Sequence, residues 1–302
     1  MANPTLSLSE TEIARFHREG FLTLPAISPP EEVALLRQVF DRLFAEKAGR
    51  NEGAQFDMVT HDHDDGGPQK LPAIINPVNF APELRDTVFR ANATLIARQL
   101  LGETASGSFE HAILKPAHHG AATPWHQDEA TRVDDGFEYR QLSIWMPLQE
   151  VTLENGCMLY VAGSHLGDVL PHRSPQDDPR IHAVECAGGF DPASATPCPL
   201  PAGGAAIHHG RTLHTAGPNQ TDRPRHAYIL AFETPPVPTT RPRDFYWNRN
   251  KRSAGIERRR AWRKRGGVLV EFGRKLRAGM WRHPDRVLFE AHRAWRAIFA
   301  KK

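Results

Sequence analysis

Apolar positions recur with helical spacing over the first hundred residues. In "SETEIARFHREG", Ile13 and Phe16 share a face, Ser9 and Glu12 have capping-box spacing, and Gly20 is placed to stop the helix. A short strand, "FLTLP", follows. "PPEEVALLRQVFDRLFAEKAG" predicts a second helix, with prolines at its start, acids in its first turn, and Val33, Leu36, Phe40 and Leu43 along one side. Residues 50–80 read as irregular and polar, and "PELRDTVFRANATLIARQLLG" predicts a third helix ending at Gly102. From about residue 107 the pattern changes to short segments separated by Gly, Pro, Asn and Asp. "SFEHAILK", "RQLSIWMPL", "CMLYVAG", "GGAAIHH" and "RHAYILAFE" are strand candidates. Helices first and antiparallel-looking strands afterwards predict a mainly β fold with flanking helices, a helix-buttressed β-sandwich or jelly roll. Residues 164–200, rich in His, Pro and Asp, are expected to form a functional loop over its mouth.

Helical spacing returns at the end of the chain. "VLVEFGRKLRAGMW" aligns Leu269, Phe272, Leu276 and Met280, and "DRVLFEAHRAWRAIFA" aligns Leu288, Ala291, Trp295 and Ile298. The expected organisation is one unit over 1–240, with a helical part at 1–106 and a jelly-roll core at 107–235, followed by a helical extension at 241–302. Charge divides at the same place. Residues 241–302 hold 20 Lys or Arg against 5 Asp or Glu, whereas the remainder holds 18 against 30. Three readings of the basic extension are open: helices packed on the domain or on a second copy, a surface for anionic lipid, nucleotide or acyl-carrier groups, and nucleic acid. The last is disfavoured, because basic charge without a recognition module gives only nonspecific binding.

The chain has 302 residues, 40% apolar and 24% charged, an ordinary globular balance. No stretch approaches the ~18 consecutive apolar residues of a membrane-spanning helix. The first residues lack the basic start and apolar core of a signal peptide. Three cysteines without C-x-x-C spacing disfavour a disulfide framework or a cysteine-built zinc site, so a cytoplasmic protein is expected. Sixteen histidines invite a search for metal ligands.

The search leads to "TPWHQDEA". On an extended strand residues two apart point the same way, so His126 and Asp128 can reach one ion together. A lone H-x-D arises easily by chance, and a third ligand is required. His214 is the best donor, and Arg225 follows it by eleven residues on the next predicted strand. Two imidazoles and one carboxylate form the facial triad of non-haem ferrous oxygenases. Such a triad leaves three positions, enough for a bidentate 2-oxo acid and dioxygen. Arginine suits the distal carboxylate of that acid, because its planar fork donates two parallel hydrogen bonds and stays charged. Arg223 is a neighbouring candidate for the same task. "THDHDDGG", with His61, His63, Asp64 and Asp65, is a rival ligand cluster, better read as a solvated loop or a substrate contact. His208 and His209 close a strand and are read as pocket wall. His118 and His119 are read as loop, and "GSH" at 163–165 as a structural turn.

Together, His126-Gln127-Asp128, "ENGCMLYVAGSH", His214 and Arg225 resemble the phytanoyl-CoA dioxygenase family of Fe(II)/2-oxoglutarate oxygenases, over roughly residues 10–235. The resemblance implies a double-stranded β-helix in which His126, Asp128 and His214 hold Fe(II) and Arg225 anchors 2-oxoglutarate. It implies that Trp145 lines the cosubstrate pocket, and that Lys70 is the nearest match to an upstream lysine contacting 2-oxoglutarate in some members. Where a small hydroxyl residue often follows the distal histidine by two places, this chain has Ala216, which leaves Thr215 or water to supply that hydrogen bond. The implied reaction consumes dioxygen and 2-oxoglutarate, releases succinate and CO2, and hydroxylates a C–H bond of a small-molecule or carrier-linked metabolite. An intact Asp128 argues against halogenation. Gln127, His111, His209 and His63 are expected in the substrate pocket, lined by loops at 50–80, 129–140 and 164–200. Two other classes stay open: a non-catalytic jelly-roll binding protein, and a metal-dependent hydrolase using the same ligands.

Overall fold

The amino-terminal helices form largely as the spacing predicts in the computed structural model, which describes residues 6–62, 67–132, 136–241 and 243–277. Ser9 and Glu12 cap each other's backbone at the start of α1 (Glu10–Glu19), and Gly20 ends it at φ 83°. Only glycine fits there, since a Cβ would lie 2.3 Å from His165 Nδ1 and 2.6 Å from Thr212 Oγ1. α2 (Pro30–Ala45) opens on a proline, whose missing N–H costs nothing in a first turn. The third helix is shorter than its periodicity predicts. Pro82–Arg85 form a separate 3-10 turn, Thr87 caps, and α3 runs Val88–Leu101. Glu32 of α2 fixes that restart, accepting from the N–H groups of Val88 (2.6 Å) and Phe89 (2.9 Å) at the positive end of the helix.

The strands, in chain order, are β1 (Phe21–Leu24), β2 (Gln55–Asp57), β3 (Pro72–Ile75), β4 (Ser106–Lys115), β5 (Thr123–His126), β6 (Phe137–Glu138), β7 (Gln141–Pro147), β8 (Met158–Tyr160), β9 (His172–Arg173), β10 (Glu185–Cys186), β11 (Thr196–Cys198), β12 (Ala205–His209), β13 (His214–Ala216), β14 (Arg225–Glu233) and β15 (Val237–Pro238). A seven-stranded antiparallel sheet has the order β1-β12-β7-β14-β4-β3-β2, and a four-stranded one the order β11-β8-β13-β5. Residues 50–80, read as irregular, thus supply two strands to the large sheet. Pro72 is tolerated because it begins its strand.

Side-chain alternation explains the layers. On β14, Tyr228, Leu230 and Phe232 face outward into a core with Phe40, Phe89 and Ile96 of the helices. Ala227 and Ile229 face the other way and pack with Trp145, Met158, Tyr160 and Ala216 between the two sheets. The outer cluster is the larger. With each buried large apolar side chain contributing about 1.5–3 kcal/mol, it carries most of the hydrophobic stabilisation and leaves the inner layer free to hold polar groups.

The first α-helix of the extension is α4 (Ala254–Trp262), which the apolar pattern did not single out, and α5 (Val268–Arg277) follows. Leu269 and Phe272 of α5 are 77% and 49% exposed, so these two positions of the predicted apolar side are only partly covered. Met280, the Leu276 side chain and the stretch from 285 to 300 lie outside the described residues. No helix among the described residues is long and apolar enough to cross a membrane.

Candidate active site

His126 is the last residue of β5, and His214 is the first of β13 directly opposite it. Asp128 begins the 3-10 turn that follows β5. One donor atom from each lies within 4.8 Å of the others. Asp128 Oδ1 is 3.5 Å from His126 Nε2 and 3.6 Å from His214 Nε2. Both imidazoles are prepared to coordinate. His126 Nδ1 is 2.8 Å from the Pro124 carbonyl and His214 Nδ1 is 2.8 Å from that of Thr212. A carbonyl only accepts, so each Nδ1 carries the proton and each Nε2 turns a lone pair to the centre. Burial, then the neighbouring imidazoles of His126 and His208, hold His214 well below the usual histidine range. Burial raises the Asp128 carboxyl, but the surrounding imidazoles of His126, His208 and His214 outweigh it and hold the group well below its ordinary value.

Arg225 starts β14 on the inner face and is 1% exposed. Among the described residues, its Nε reaches only the Asn155 carbonyl, at 3.4 Å, and its buried Nη1 has no hydrogen-bond partner. Burial pushes its pKa down to about 9, so it is still a cation at neutral pH. Trp145 lies beside it, with the ring centroid 5.3 Å from the guanidinium carbon. A buried charge with an unsatisfied donor costs several kcal/mol unless an anion joins it. Arg225 therefore fits a carboxylate ligand, as the three convergent donor atoms fit a metal ion.

A cavity of about 560 Å³ joins these groups to the surface. Trp145 and His111 line it, as expected, and so does His208. The buried Nε2 of His111 has no hydrogen-bond partner among the described residues, and burial takes this imidazole down to about 4. Other expected residues are elsewhere, mostly because of strand parity. Gln127 points away from its neighbours, donating to the Arg211 carbonyl at 2.7 Å and accepting from Leu170 N–H at 2.8 Å. Thr215 faces the other side of β13 from His214, and its hydroxyl donates to the Thr123 carbonyl. His209 packs on His165, outside the cavity. Lys70 is exposed, and the lysine beside Arg225 is Lys115, its cross-strand partner on β4. Lys115 is fully buried, and its Nζ donates to the carbonyls of Ala121, Ala216 and Gly217, which uses all three hydrogens. Arg223 is exposed. His63 lies outside the described residues; of its neighbours, His61 is hydrogen-bonded to Asp178 at 2.7 Å and Asp62 is ion-paired with Arg50 and Arg258.

Part of the cavity wall comes from an unanticipated source. Asn248, Lys251, Ile256 and Arg259 of the extension line it as a roof, together with Met58 and Phe109. The roof is pinned by backbone contacts. Asn248 donates to the carbonyls of Ala130 (2.7 Å) and Arg132 (2.9 Å), and Lys251 to those of Ile181 (2.8 Å) and Ala183. His182, another wall residue, is hydrogen-bonded to Ser253 at 2.8 Å. No periodicity reports such contacts between distant segments.

Convergent imidazole and carboxylate donors beside a buried arginine fit an Fe(II)- and 2-oxoglutarate-dependent oxygenase, the class to which this chain belongs. The chain belongs to the phytanoyl-CoA dioxygenase family, whose model matches residues 16–227. Its relatives include the probable alpha-ketoglutarate-dependent hypophosphite dioxygenase of Stutzerimonas stutzeri, 26% identical over 71% of this chain and 74% of that protein. Another is phytanoyl-CoA dioxygenase domain-containing protein 1 of Mus musculus, 24% identical over 74% of this chain and 89% of the relative. Among solved structures, EvdO2 from Micromonospora carbonacea var. aurantiaca complexed with 2-oxoglutarate is 40% identical, with a TM-score of 0.68 over 80% of this chain and 97% of that one. The family's enzymes depend on Fe(II), 2-oxoglutarate and O2. Membership sets aside the readings as a binding scaffold and as a hydrolase, the latter having no use for Arg225.

Proposed function

We propose that this protein hydroxylates a C–H bond of a small-molecule or carrier-linked substrate held under the extension's roof. In this reading His126, Asp128 and His214 hold Fe(II), and Arg225 takes the distal carboxylate of 2-oxoglutarate beside Trp145. The two sheets form a double-stranded β-helix, and the oxygenase unit of residues 1–240 shares its substrate cavity with the extension. When bound, the ion supplies the oxidising chemistry, by which R–H, O2 and 2-oxoglutarate become R–OH, succinate and CO2. The chain's own part is placement: it presents two Nε2 lone pairs and a carboxylate oxygen and keeps a cation at the cosubstrate end.

The observation that carries the reading is Arg225, a buried cation with an orphan Nη1 in the same cavity as the three convergent donor atoms. The test is anaerobic addition of Fe(II) and 2-oxoglutarate, which should give a visible charge-transfer band. His126→Ala and Asp128→Ala should lose both the band and succinate formation. A wild-type chain without the band, or variants that keep it, would refute the assignment.

A further inference from the structure

A third imidazole, His208, lies against the triad, and its hydrogen bonds set it apart from the other two. Its ring centroid is 4.2 Å from that of His214, yet its Nε2 is 3.1 Å from the far oxygen of Asp128, Oδ2. The same oxygen accepts from Ser143 Oγ at 2.6 Å. Ser143 and His208 are cross-strand partners on β7 and β12, so one rung of the large sheet grips Oδ2 while Oδ1 faces His126 and His214 on the small sheet. Behind His208, the buried Tyr160 hydroxyl is 2.9 Å from Nδ1. A carboxylate only accepts, so the proton of His208 belongs on Nε2. Nδ1 of the neutral ring then accepts from the Tyr160 O–H. This tautomer is the reverse of that in His126 and His214, and it leaves no Nε2 lone pair for an ion.

Resting on the metal reading above, we propose that His208, with its tautomer set by Tyr160, is a positioning residue that fixes Asp128 as a one-oxygen ligand. The consequence is a matter of coordination number. An octahedral ion bound by two imidazoles and one carboxylate oxygen keeps three positions, two for the cosubstrate and one for dioxygen. Were Asp128 to turn and bind through both oxygens, dioxygen would lose its place. Ser143 and His208 occupy the second oxygen and hold the carboxylate against that rotation.

The test uses Co(II) alone as probe, with binding measured by titration calorimetry and coordination read from the d–d absorption spectrum. His208→Phe removes the donor and should weaken Co(II) binding by about 10- to 100-fold, the usual cost of losing an outer partner of a ligand, with an altered spectrum. His208→Gln restores an N–H donor and should stay within about threefold of wild type, since one neutral hydrogen bond is preserved. Equal affinity and spectrum in His208→Phe would overturn the role. A loss in His208→Gln as deep as in His208→Phe would overturn it too, because the imidazole itself would then be a ligand. If His208→Phe does not fold, as judged by circular dichroism, Tyr160→Phe decides. That variant should lose about fivefold in affinity, and an unchanged affinity and spectrum would count against the proposal. A wild-type chain that binds no more Co(II) than His126→Ala would instead overturn the metal reading itself.

Discussion

Replacing Arg225 with methionine should change ligand binding and stability in opposite directions. In the protein without cosubstrate, the guanidinium is 1% exposed, Nη1 is unsatisfied, and Nε has a single long contact at 3.4 Å. An unsatisfied buried donor costs about 1–3 kcal/mol, so an apolar side chain of similar length should leave stability unchanged or raise it. The same change deletes the anchor of the cosubstrate. Two charge-assisted hydrogen bonds at about 1.5–3 kcal/mol each are lost, so even the lower bound of about 3 kcal/mol means a roughly hundredfold weaker Kd for 2-oxoglutarate. Anaerobic titration of the Fe(II) protein with 2-oxoglutarate gives the Kd, and urea melts of both proteins without ligand give the stability. A Kd within threefold of wild type would refute the anchoring role. A variant destabilised by several kcal/mol would show instead that the guanidinium holds the fold.

Two further outcomes follow from groups near the centre. His172 is 1% exposed, its Nδ1 lies against the Leu170 carbonyl at 2.7 Å, and its Nε2 accepts from Gln127 N–H at 3.2 Å, so only the neutral ring satisfies both bonds. Burial takes its pKa down to about 4. The unfolded chain therefore takes up a proton first as pH falls below about 6.5, and the folded state loses about 2 kcal/mol from this group by pH 5. Urea melts at pH 7 and pH 5 should show a smaller pH dependence in His172→Gln, and an equal one would contradict this account. Gly20→Ala should cost about 2–4 kcal/mol through left-handed backbone strain and overpacking against His165 and Thr212. It should also weaken Co(II) binding, since Thr212 donates to the Gly20 carbonyl at 2.6 Å and accepts from His214. A loss below about 1 kcal/mol would contradict the packing argument.

The triad was legible because its chemistry and its periodicity agree: His126 and Asp128 are two apart, and a ligand needs only to be on the correct face. The misplaced pocket residues fail by that same rule. Gln127 lies between the two ligands, Thr215 is one past His214, and His209 is one past the inward-facing His208, so each turns its side chain to the other side of a strand. Lys70 and Lys115 show a different limit. Which lysine meets Arg225 depends on the β4–β14 register, set by hydrogen bonds between segments 110 residues apart, and no local pattern encodes that pairing. Strands β2 and β3 were hidden for a related reason: three or four residues are too few to display an alternation.

The roof formed by Asn248, Lys251, Ile256 and Arg259 lies beyond residues 16–227, the stretch matched to the family. On the proposed reading, the oxidising machinery and part of the substrate wall are therefore carried on different stretches of the polypeptide. Chimeras that exchange only this tail between homologues would reshape which compounds are admitted without altering the oxidising core, and directed evolution of the enzyme has a natural place to begin.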